Sequence, residues 1–150
     1  MGEQRFLIKS CAHIMRKTQS HLDCALKKYG LTSGSYPYLL ALSDEEGINL
    51  DTVSRRVGVD KAMSTRTIQK LMERGYLEKV PDASDSRAFQ LYLTDRAREC
   101  IPKIRREIMR CIGILTAGMT GEEKDAAARL LGRMEKNAGN LECKGKGSFK

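Results

Sequence analysis

Four residues recur at the spacing of one helix face, and their types suit contact with DNA bases. They stand at i, i+3, i+4 and i+7, and they are Ala62, Thr65, Arg66 and Gln69. Arginine and glutamine match the hydrogen-bonding edges of guanine and adenine in the major groove, and threonine can bond a base or pack on a thymine methyl. The pattern therefore predicts a helix that reads base sequence.

The predicted recognition helix forms part of a helix-turn-helix. A shorter helix is expected before it, from the near-helical spacing of Leu50, Val53 and Val57. Asp60 is placed to cap the second helix, which runs through Glu73 and is stopped by Gly75. A recognition helix also needs an apolar side that holds it on the domain. The residues predicted to form that side are Ser64, Ile68, Leu71 and Met72.

Beyond Gly75 the apolar residues alternate along the chain, which predicts a two-stranded β-hairpin. The positions expected to share one face are Leu77, Phe89, Leu91 and Leu93. The connection, residues 81–88, is polar and rich in turn formers, and Arg87 lies near its end. An arginine on such a hairpin can enter the adjacent minor groove, where a narrow groove concentrates negative potential. The motif is therefore predicted to be a winged helix-turn-helix.

Several segments of this motif resemble the MarR family of bacterial and archaeal transcriptional regulators. They are residues 30–32, 39–42, 71–77, 85–87 and 91–94. The most specific part is the Asp-x-Arg wing with its Leu-x-Leu-Thr tail, and the resemblance extends from about Phe6 to about Asn137. The family usually has glycine shortly after that threonine, where this chain has Arg96 and Ala97. We expect this difference to affect the start of the next helix and to have little effect on function.

The motif predicts a role in DNA binding for several of its polar side chains. Arg87 is assigned to the minor groove, and Asp85 is expected to orient Arg87 without touching DNA. The alternative is an ordinary surface helix with solvated polar side chains, but the turn, the wing and the charge together favour the DNA interpretation. The residues assigned to base edges are Thr65, Arg66 and Gln69, and Ala62 is a further DNA-binding candidate on the same face. The residues assigned to phosphates are Lys61, Lys70 and Arg74.

Composition narrows the class of protein. The chain has 150 residues, a formal charge of +8 and a pI near 9.4, which suit a nucleic-acid partner but also occur in other basic proteins. Five cysteines without a C-x-x-C pair argue against a disulfide framework or a zinc finger and favour a reducing compartment. The sequence has no membrane span, phosphate-binding loop or nucleophile elbow. We therefore expect a soluble cytoplasmic protein without cofactor, metal or enzymatic activity.

Long amphipathic helices are predicted on both sides of the winged domain, so the fold is expected to be mostly α with a small β-wing. These helices have more apolar surface than one small domain can cover, which predicts a homodimer. Residues 1–30 and 95–140 form the predicted dimerisation region, and residues 31–94 form the DNA-binding domain. Residues 141–150 form a basic tail that we expect to be disordered. Two-fold symmetry predicts a pseudo-palindromic operator with half-sites ~10 bp apart.

Several helix ends are marked by capping residues. Gly30 is expected to end the first helix in the left-handed conformation. The long helix after the wing is expected to begin at Thr94-Asp95, and Pro102 is expected to bend it. Thr120 and a glutamate three residues later form a predicted capping box for the last helix.

The cap of the second helix is left open between two residues. If Ser35 is the cap, Pro37 falls in the first turn, where proline is tolerated. If Thr32 is the cap, Pro37 removes a backbone hydrogen bond and bends the helix. The sequence favours neither choice.

The resemblance also implies a signal. Family members commonly bind small phenolic or anionic ligands in a crevice between the dimerisation helices and the winged domain, and others sense oxidants through a cysteine. Cys11 is the best redox candidate, although a free cysteine usually acts as a small buried hydrophobe. The candidate polar groups of a ligand pocket are His13, Arg16, Tyr36 and Tyr38. Core packing explains the two tyrosines equally well.

Together these features predict a sequence-specific DNA-binding transcriptional regulator, more often a repressor than an activator, that a small molecule or an oxidant releases from its operator. The alternative is an architectural winged-helix protein that binds nucleic acid without an effector. Its binding would ignore sequence and would fall with salt as steeply on any duplex as on a palindrome.

Overall fold

The computed structural model describes residues 2–141 of the chain. These residues are mostly helical with one small antiparallel β-hairpin, so the predicted fold class is confirmed. Nearly all of the predicted tail, residues 142–150, lies outside the described part. The helices and strands are α1 (Phe6–Leu26), α2 (Tyr36–Asp44), α3 (Leu50–Val57), α4 (Lys61–Glu73), β1 (Leu77–Pro81), β2 (Phe89–Leu93), α5 (Asp95–Leu115) and α6 (Gly121–Ala138).

The described residues divide into two compact units, with the boundary between Ile112 and Gly113. The first unit contains α1 to α4, the hairpin and most of α5. The second contains the end of α5 and α6. The predicted division between a DNA-binding domain and a dimerisation region is a functional one, and it stays a prediction.

One hydrophobic core holds the first unit together. It gathers buried side chains from the end of α1, from α2, α3 and α4, from one face of the hairpin and from the first half of α5. Each large apolar side chain removed from water stabilises the fold by ~1.5–3 kcal/mol. The residues that the hairpin and α4 contribute are Ile68, Leu71, Leu77, Leu91 and Leu93. The recognition helix and the wing are therefore fixed by the same core.

The two ends of α4 are set by local hydrogen bonds. The Asp60 carboxylate accepts from the Met63 backbone N–H at 2.8 Å, so the predicted N-cap is confirmed. At the other end Gly75 has a φ of +76°, which glycine adopts without steric cost. The Tyr76 N–H then donates back to the Leu71 carbonyl at 2.9 Å, as in a Schellman cap. The helix therefore ends where the sequence predicts.

The structure decides between the two caps of α2. The helix begins at Tyr36, so Ser35 is the cap position and Pro37 lies in the first turn. The Ser35 hydroxyl does not cap the helix itself. It accepts from the Thr32 backbone N–H at 2.8 Å and so closes the turn before the helix. Both candidate residues therefore shape this entry, and the proline removes no interior helix bond.

The hairpin pairs β1 with β2 in antiparallel register, with Leu77 opposite Leu93. Ile48 forms an isolated bridge with Leu91 on the other edge of β2. The Leu91 N–H donates to the Ile48 carbonyl at 3.0 Å, and the Gly47 N–H donates to the Leu91 carbonyl at 2.8 Å. This short strand-like segment ties the wing to the residues just before α3.

Two further helix ends agree with the sequence. Gly30 has a φ of +69° and follows a short 3₁₀ turn at the end of α1. At the start of α5 the Ala97 N–H donates to the Thr94 hydroxyl at 3.2 Å. Pro102 lies inside α5, whose helical conformation continues across it, and the predicted bend stays a prediction.

The second unit confirms the predicted capping box of α6. The Thr120 backbone N–H donates to the Glu123 carboxylate at 2.8 Å, and the Glu123 N–H donates to the Thr120 hydroxyl at 3.2 Å. No residue of α6 is buried. Its apolar Leu130 and Leu131 are about half exposed, so this helix leaves an apolar face uncovered.

A buried hydrogen bond lies under the recognition helix. The Tyr38 hydroxyl on α2 is 2.8 Å from the Ser64 hydroxyl on α4. Tyr38 is 1% exposed and Ser64 is fully buried. Each hydroxyl satisfies the other in a place that water does not reach, so the pair fixes how α4 rests on α2.

We expect Tyr38→Phe to lower the free energy of unfolding by about 1–3 kcal/mol, because the Ser64 hydroxyl would stay buried without its partner. Urea unfolding followed by circular dichroism measures this change.

Tyr36→Phe on the same helix is the matched control, because Tyr36 is only partly buried. The double variant Tyr38→Phe/Ser64→Ala should lose less than the sum of the two single variants, because no unpaired hydroxyl remains. Strict additivity would contradict the coupling of these two hydroxyls.

Candidate nucleic-acid interface

The recognition helix α4 has one buried and one exposed side. Ser64, Ile68 and Leu71 are buried in the core, and Met72 is partly buried. The exposed residues on the other sides include Lys61, Ala62, Thr65, Arg66, Gln69 and Lys70, and the exposed Arg74 follows directly after the helix. Every α4 residue that the sequence assigns to DNA is therefore accessible, while their roles as DNA contacts stay predictions.

Two of the residues assigned to base edges are held by neighbours on their own helix. The Thr65 hydroxyl donates to the Lys61 carbonyl at 2.8 Å, so its proton is engaged and its methyl group points away from that bond. The Gln69 side-chain amide donates to the Glu73 carboxylate at 3.2 Å. Gln69 must leave Glu73, or use its free carbonyl oxygen, to bond a base edge.

Lys61 has an acidic partner that the sequence analysis did not anticipate. Its ammonium is 2.9 Å from the carboxylate of Asp51, in the first turn of α3. The hydrogen bond and the charge of Lys61 hold the pKa of Asp51 below its ordinary value. Both side chains are more than 60% exposed, so the pair is weak and can open when a phosphate approaches.

The structure brings Lys61 and the wing arginine together. Lys61, Asp51 and Arg87 line one open groove of about 240 Å³ between the start of α3, the start of α4 and the end of the wing loop. Two cations from different elements thus lie on one surface, with a single carboxylate beside them. Such an arrangement attracts a polyanion that follows the groove.

Two aspartates shape the wing loop. The Asp85 carboxylate accepts from the Arg87 backbone N–H at 2.9 Å, so it contacts Arg87 through the main chain. Asp82, which the sequence analysis did not single out, accepts from both the N–H and the hydroxyl of Ser84. These bonds hold the pKa of Asp82 below its ordinary value. Both carboxylates therefore brace the turn that carries the exposed Arg87.

The C-terminal end of α4 is in contact with two other segments. Arg74 lies against Gly30, since a Cβ atom at Gly30 would be 3.1 Å from the Arg74 guanidinium. Arg96 of α5 donates to the Arg74 carbonyl at 2.7 Å. Arg96 was expected to matter only for helix entry, and this contact joins α5 to the recognition helix. In the sequence Arg96 stood out only as a departure from the family pattern, which did not indicate this contact.

The candidate effector residues lie in different surroundings. On α1, Cys11 is partly buried, whereas His13 and Arg16 are exposed. Tyr38 lies in the core, bonded to Ser64, which matches the core-packing alternative. Tyr36 is partly buried. The groove that Tyr36 lines includes none of the other four residues, and a ligand pocket formed by them stays a prediction.

Tyr36 lines an open groove of about 530 Å³ on the first unit. The groove is formed by α2 residues together with Arg56 and Val57 of α3, and none of its described lining residues comes from α1. Burial raises the pKa of the Tyr36 phenol above its ordinary value, and the nearby Cys111 thiol raises it further. The phenol is therefore a neutral hydrogen-bonding group at neutral pH.

Residues 2–141 lack two kinds of feature. No group of three or more histidine, cysteine or acidic side chains in this range is arranged to hold a metal ion. No helix in the described range is both long and apolar enough to cross a bilayer.

The cap of the recognition helix gives a direct test of this geometry. We expect Asp60→Ala to lower the free energy of unfolding by about 0.5–2 kcal/mol, because the Met63 N–H loses its acceptor and the helix N-terminus loses a negative charge. Thermal and urea unfolding measure the change.

Asp60→Asn is the matched control, because asparagine keeps the capping oxygen and removes only the charge. It should stay closer to wild type than the alanine variant. Equal stability of all three proteins would show that this cap contributes nothing to the fold.

The chain is similar in sequence and in structure to known proteins. The model of the MarR family matches residues 29–88. The chain is 29% identical over 131 residues to YybA of Bacillus subtilis, an uncharacterized HTH-type transcriptional regulator, and the match covers 87% of each protein. It is 39% identical over 93 residues to the HTH-type transcriptional regulator BilQ of Clostridioides difficile, covering 62% of this chain and 63% of BilQ. A solved MarR protein from Peptoclostridium difficile has a TM-score of 0.86 at 34% identity, covering 90% of this chain and 88% of that one.

Proposed function

Because the chain belongs to the MarR family of transcriptional regulators, we propose that it binds a pseudo-palindromic DNA operator as a homodimer and represses neighbouring genes until a signal releases it. The observation that carries this proposal is the groove in which Lys61 of α4 and Arg87 of the wing lie together. The exposed side of α4 continues from this groove along the helix.

DNA recognition divides the exposed residues into two groups. Arg66 and Gln69 have donors and acceptors that fit base edges, and the Thr65 methyl suits a thymine methyl because its hydroxyl proton is engaged. The cations that flank this face neutralise phosphates, and they are Lys61, Lys70, Arg74 and, from the minor-groove side, Arg87. The net charge of +8 supports attraction to DNA at longer range.

A homodimer would cover apolar side chains that each unit leaves exposed. In the first unit they are Phe6, Leu7, Ile8, Ile14, Met15, Met109 and Ile112. In the second unit they are Ile114, Leu115, Leu130 and Leu131. Exposed apolar surface of this extent marks an interaction site in most proteins. A two-fold axis would present two copies of α4 to successive major grooves, ~10 bp apart.

The release step requires only a small rearrangement. An effector or an oxidised cysteine that favours a different dimer geometry would change the distance between the two α4 helices. A shift of a few ångströms removes one helix from its half-site. Tyr36 in its open groove is a candidate ligand contact, and Cys11 is the candidate redox group. We further propose that the protein works in the cytoplasm, where its operator would be and where its thiols stay reduced.

Gel-shift binding tests the proposal. The duplexes are the chain's own promoter region and a random duplex of equal length, at near-physiological salt, with and without peroxide or salicylate. We expect the promoter to bind about a thousandfold more tightly than the random duplex, because base contacts add to the phosphate contacts that both share. One additive should release the promoter complex.

The controls separate the possible outcomes. If peroxide releases the complex, Cys11→Ser should abolish that release, and a variant that still responds would remove Cys11 as the sensor. Equal, weak and steeply salt-dependent binding to both duplexes would instead support the architectural alternative.

Two alanine variants distinguish base contacts from phosphate contacts. Arg66→Ala should cost about 1–3 kcal/mol on the promoter duplex and relax its sequence preference, because a bidentate base contact is lost. Lys70→Ala should weaken binding to all duplexes and reduce the salt slope by about 1. Fluorescence anisotropy at several salt concentrations measures both effects.

Lys124→Ala on α6 is the control for removing one exposed positive charge far along the chain from α4. It should change neither selectivity nor salt slope. If Arg66→Ala and Lys70→Ala also leave both quantities unchanged, the recognition-helix assignment is wrong.

A further inference from the structure

We propose that Arg96 is a positioning residue for DNA recognition, because it fixes the C-terminal end of α4 to the start of α5. The proposal rests on the proposed function, since it concerns how the reading face of α4 is held. Arg96 is not among the residues that we assign to DNA.

The end of α4 and the start of α5 are connected by hydrogen bonds to three consecutive carbonyl groups, and we call this connection the joint. The Arg74 carbonyl accepts from the Arg96 guanidinium at 2.7 Å. The Gly75 carbonyl accepts from the Thr94 hydroxyl at 2.6 Å. The Tyr76 carbonyl accepts from the Thr94 backbone N–H at 3.1 Å. The Arg74 carbonyl, at the C-cap of α4, has no partner within the helix, so Arg96 supplies its donor, while Thr94 binds the two residues that follow.

Arg96 also packs against an aromatic ring beside this joint. Its guanidinium carbon is 4.6 Å from the centre of the Tyr76 ring, a distance at which the cation is attracted to the ring face. Tyr76 is 1% exposed, and its hydroxyl donates to the Tyr29 carbonyl at 2.6 Å. Arg96 therefore covers a buried ring that is itself bonded to the end of α1.

The position of the joint makes it important for base reading. Gln69 lies little more than one turn before Arg74, and the whole of α4 is only ~20 Å long. The earlier part of α4 is anchored by the Asp60 cap and by the Tyr38–Ser64 bond. If the C-terminal end moves, the far part of the reading face tilts, and hydrogen bonds to base edges depend steeply on distance and angle.

Arg96 differs from a phosphate contact in a measurable way. A residue that neutralises a phosphate contributes about 1 to the salt slope of binding. A residue that only orients α4 leaves the number of neutralised phosphates unchanged. Its loss should lower selectivity for sequence and keep the salt slope constant.

The experiment compares Arg96→Ala with wild type on a duplex that the wild-type protein selects from a random library and on a random duplex of equal length. We expect the ratio of the two affinities to fall about tenfold, the equivalent of about one base contact, with an unchanged salt slope. Arg96→Lys should recover part of the loss, because an ammonium can donate to the Arg74 carbonyl and lie over the Tyr76 ring. Arg105→Ala, which removes an exposed arginine of the same helix that donates to Ser43, should leave the ratio unchanged.

Each other outcome overturns the inference. An unchanged ratio in Arg96→Ala shows that the joint does not position α4, and a salt slope reduced by about 1 shows that Arg96 binds phosphate directly. If Arg96→Ala does not fold, Arg96→Gln takes its place, because glutamine keeps a donor and loses the cation. This variant should lower the ratio about threefold, and a wild-type ratio in it overturns the inference. If the wild-type protein selects no sequence at all, the proposed function fails and the inference fails with it.

Discussion

The structure depends on the two-sided environment of α4, because this helix must bury one side in the core and leave the other side exposed to solvent. Burial of Ile68 and Leu71 holds it, and Ser64 enters the core only because the Tyr38 hydroxyl lies 2.8 Å away. A recognition helix with a fully apolar back could slide or rotate on its support at little cost. The buried hydroxyl pair is satisfied in one orientation, so it fixes the rotation of α4 about its axis.

The sequence predicts the local parts of this structure well. The bounds of α4, its Asp60 cap, the glycine after it and the capping box of α6 each depend on residues three or four positions apart. The hairpin follows from alternation and from a loop rich in turn formers, and the interactions that set it are likewise short in range. Such signals are readable because the chain's own geometry brings these residues together.

The contacts that the sequence does not predict join residues far apart along the chain. Ser64 and Tyr38 are 26 positions apart, and Arg96 and Arg74 are 22 positions apart. Nothing in the spacing of apolar residues shows which face of α5 meets the end of α4. The effector candidates on α1 and α2 show the same limit, because they were chosen by residue type and the fold gives them different surroundings. Arg96 was noticed in the sequence only as an exception to a family pattern, and its partners required the tertiary structure.

The Asp51–Lys61 pair has a consequence for how the protein would find its target. In the free protein the Lys61 ammonium already has a counterion of its own, the Asp51 carboxylate at 2.9 Å. If Lys61 binds a DNA phosphate as proposed, it would exchange one anion for another, and Asp51 would be left beside the phosphates. The gain at this position is therefore smaller than for a lone lysine, and it is the same on every sequence. A regulator whose lysine is partly neutralised in this way would stay for a shorter time on each incorrect site. It would therefore survey more of the genome before it reaches its operator.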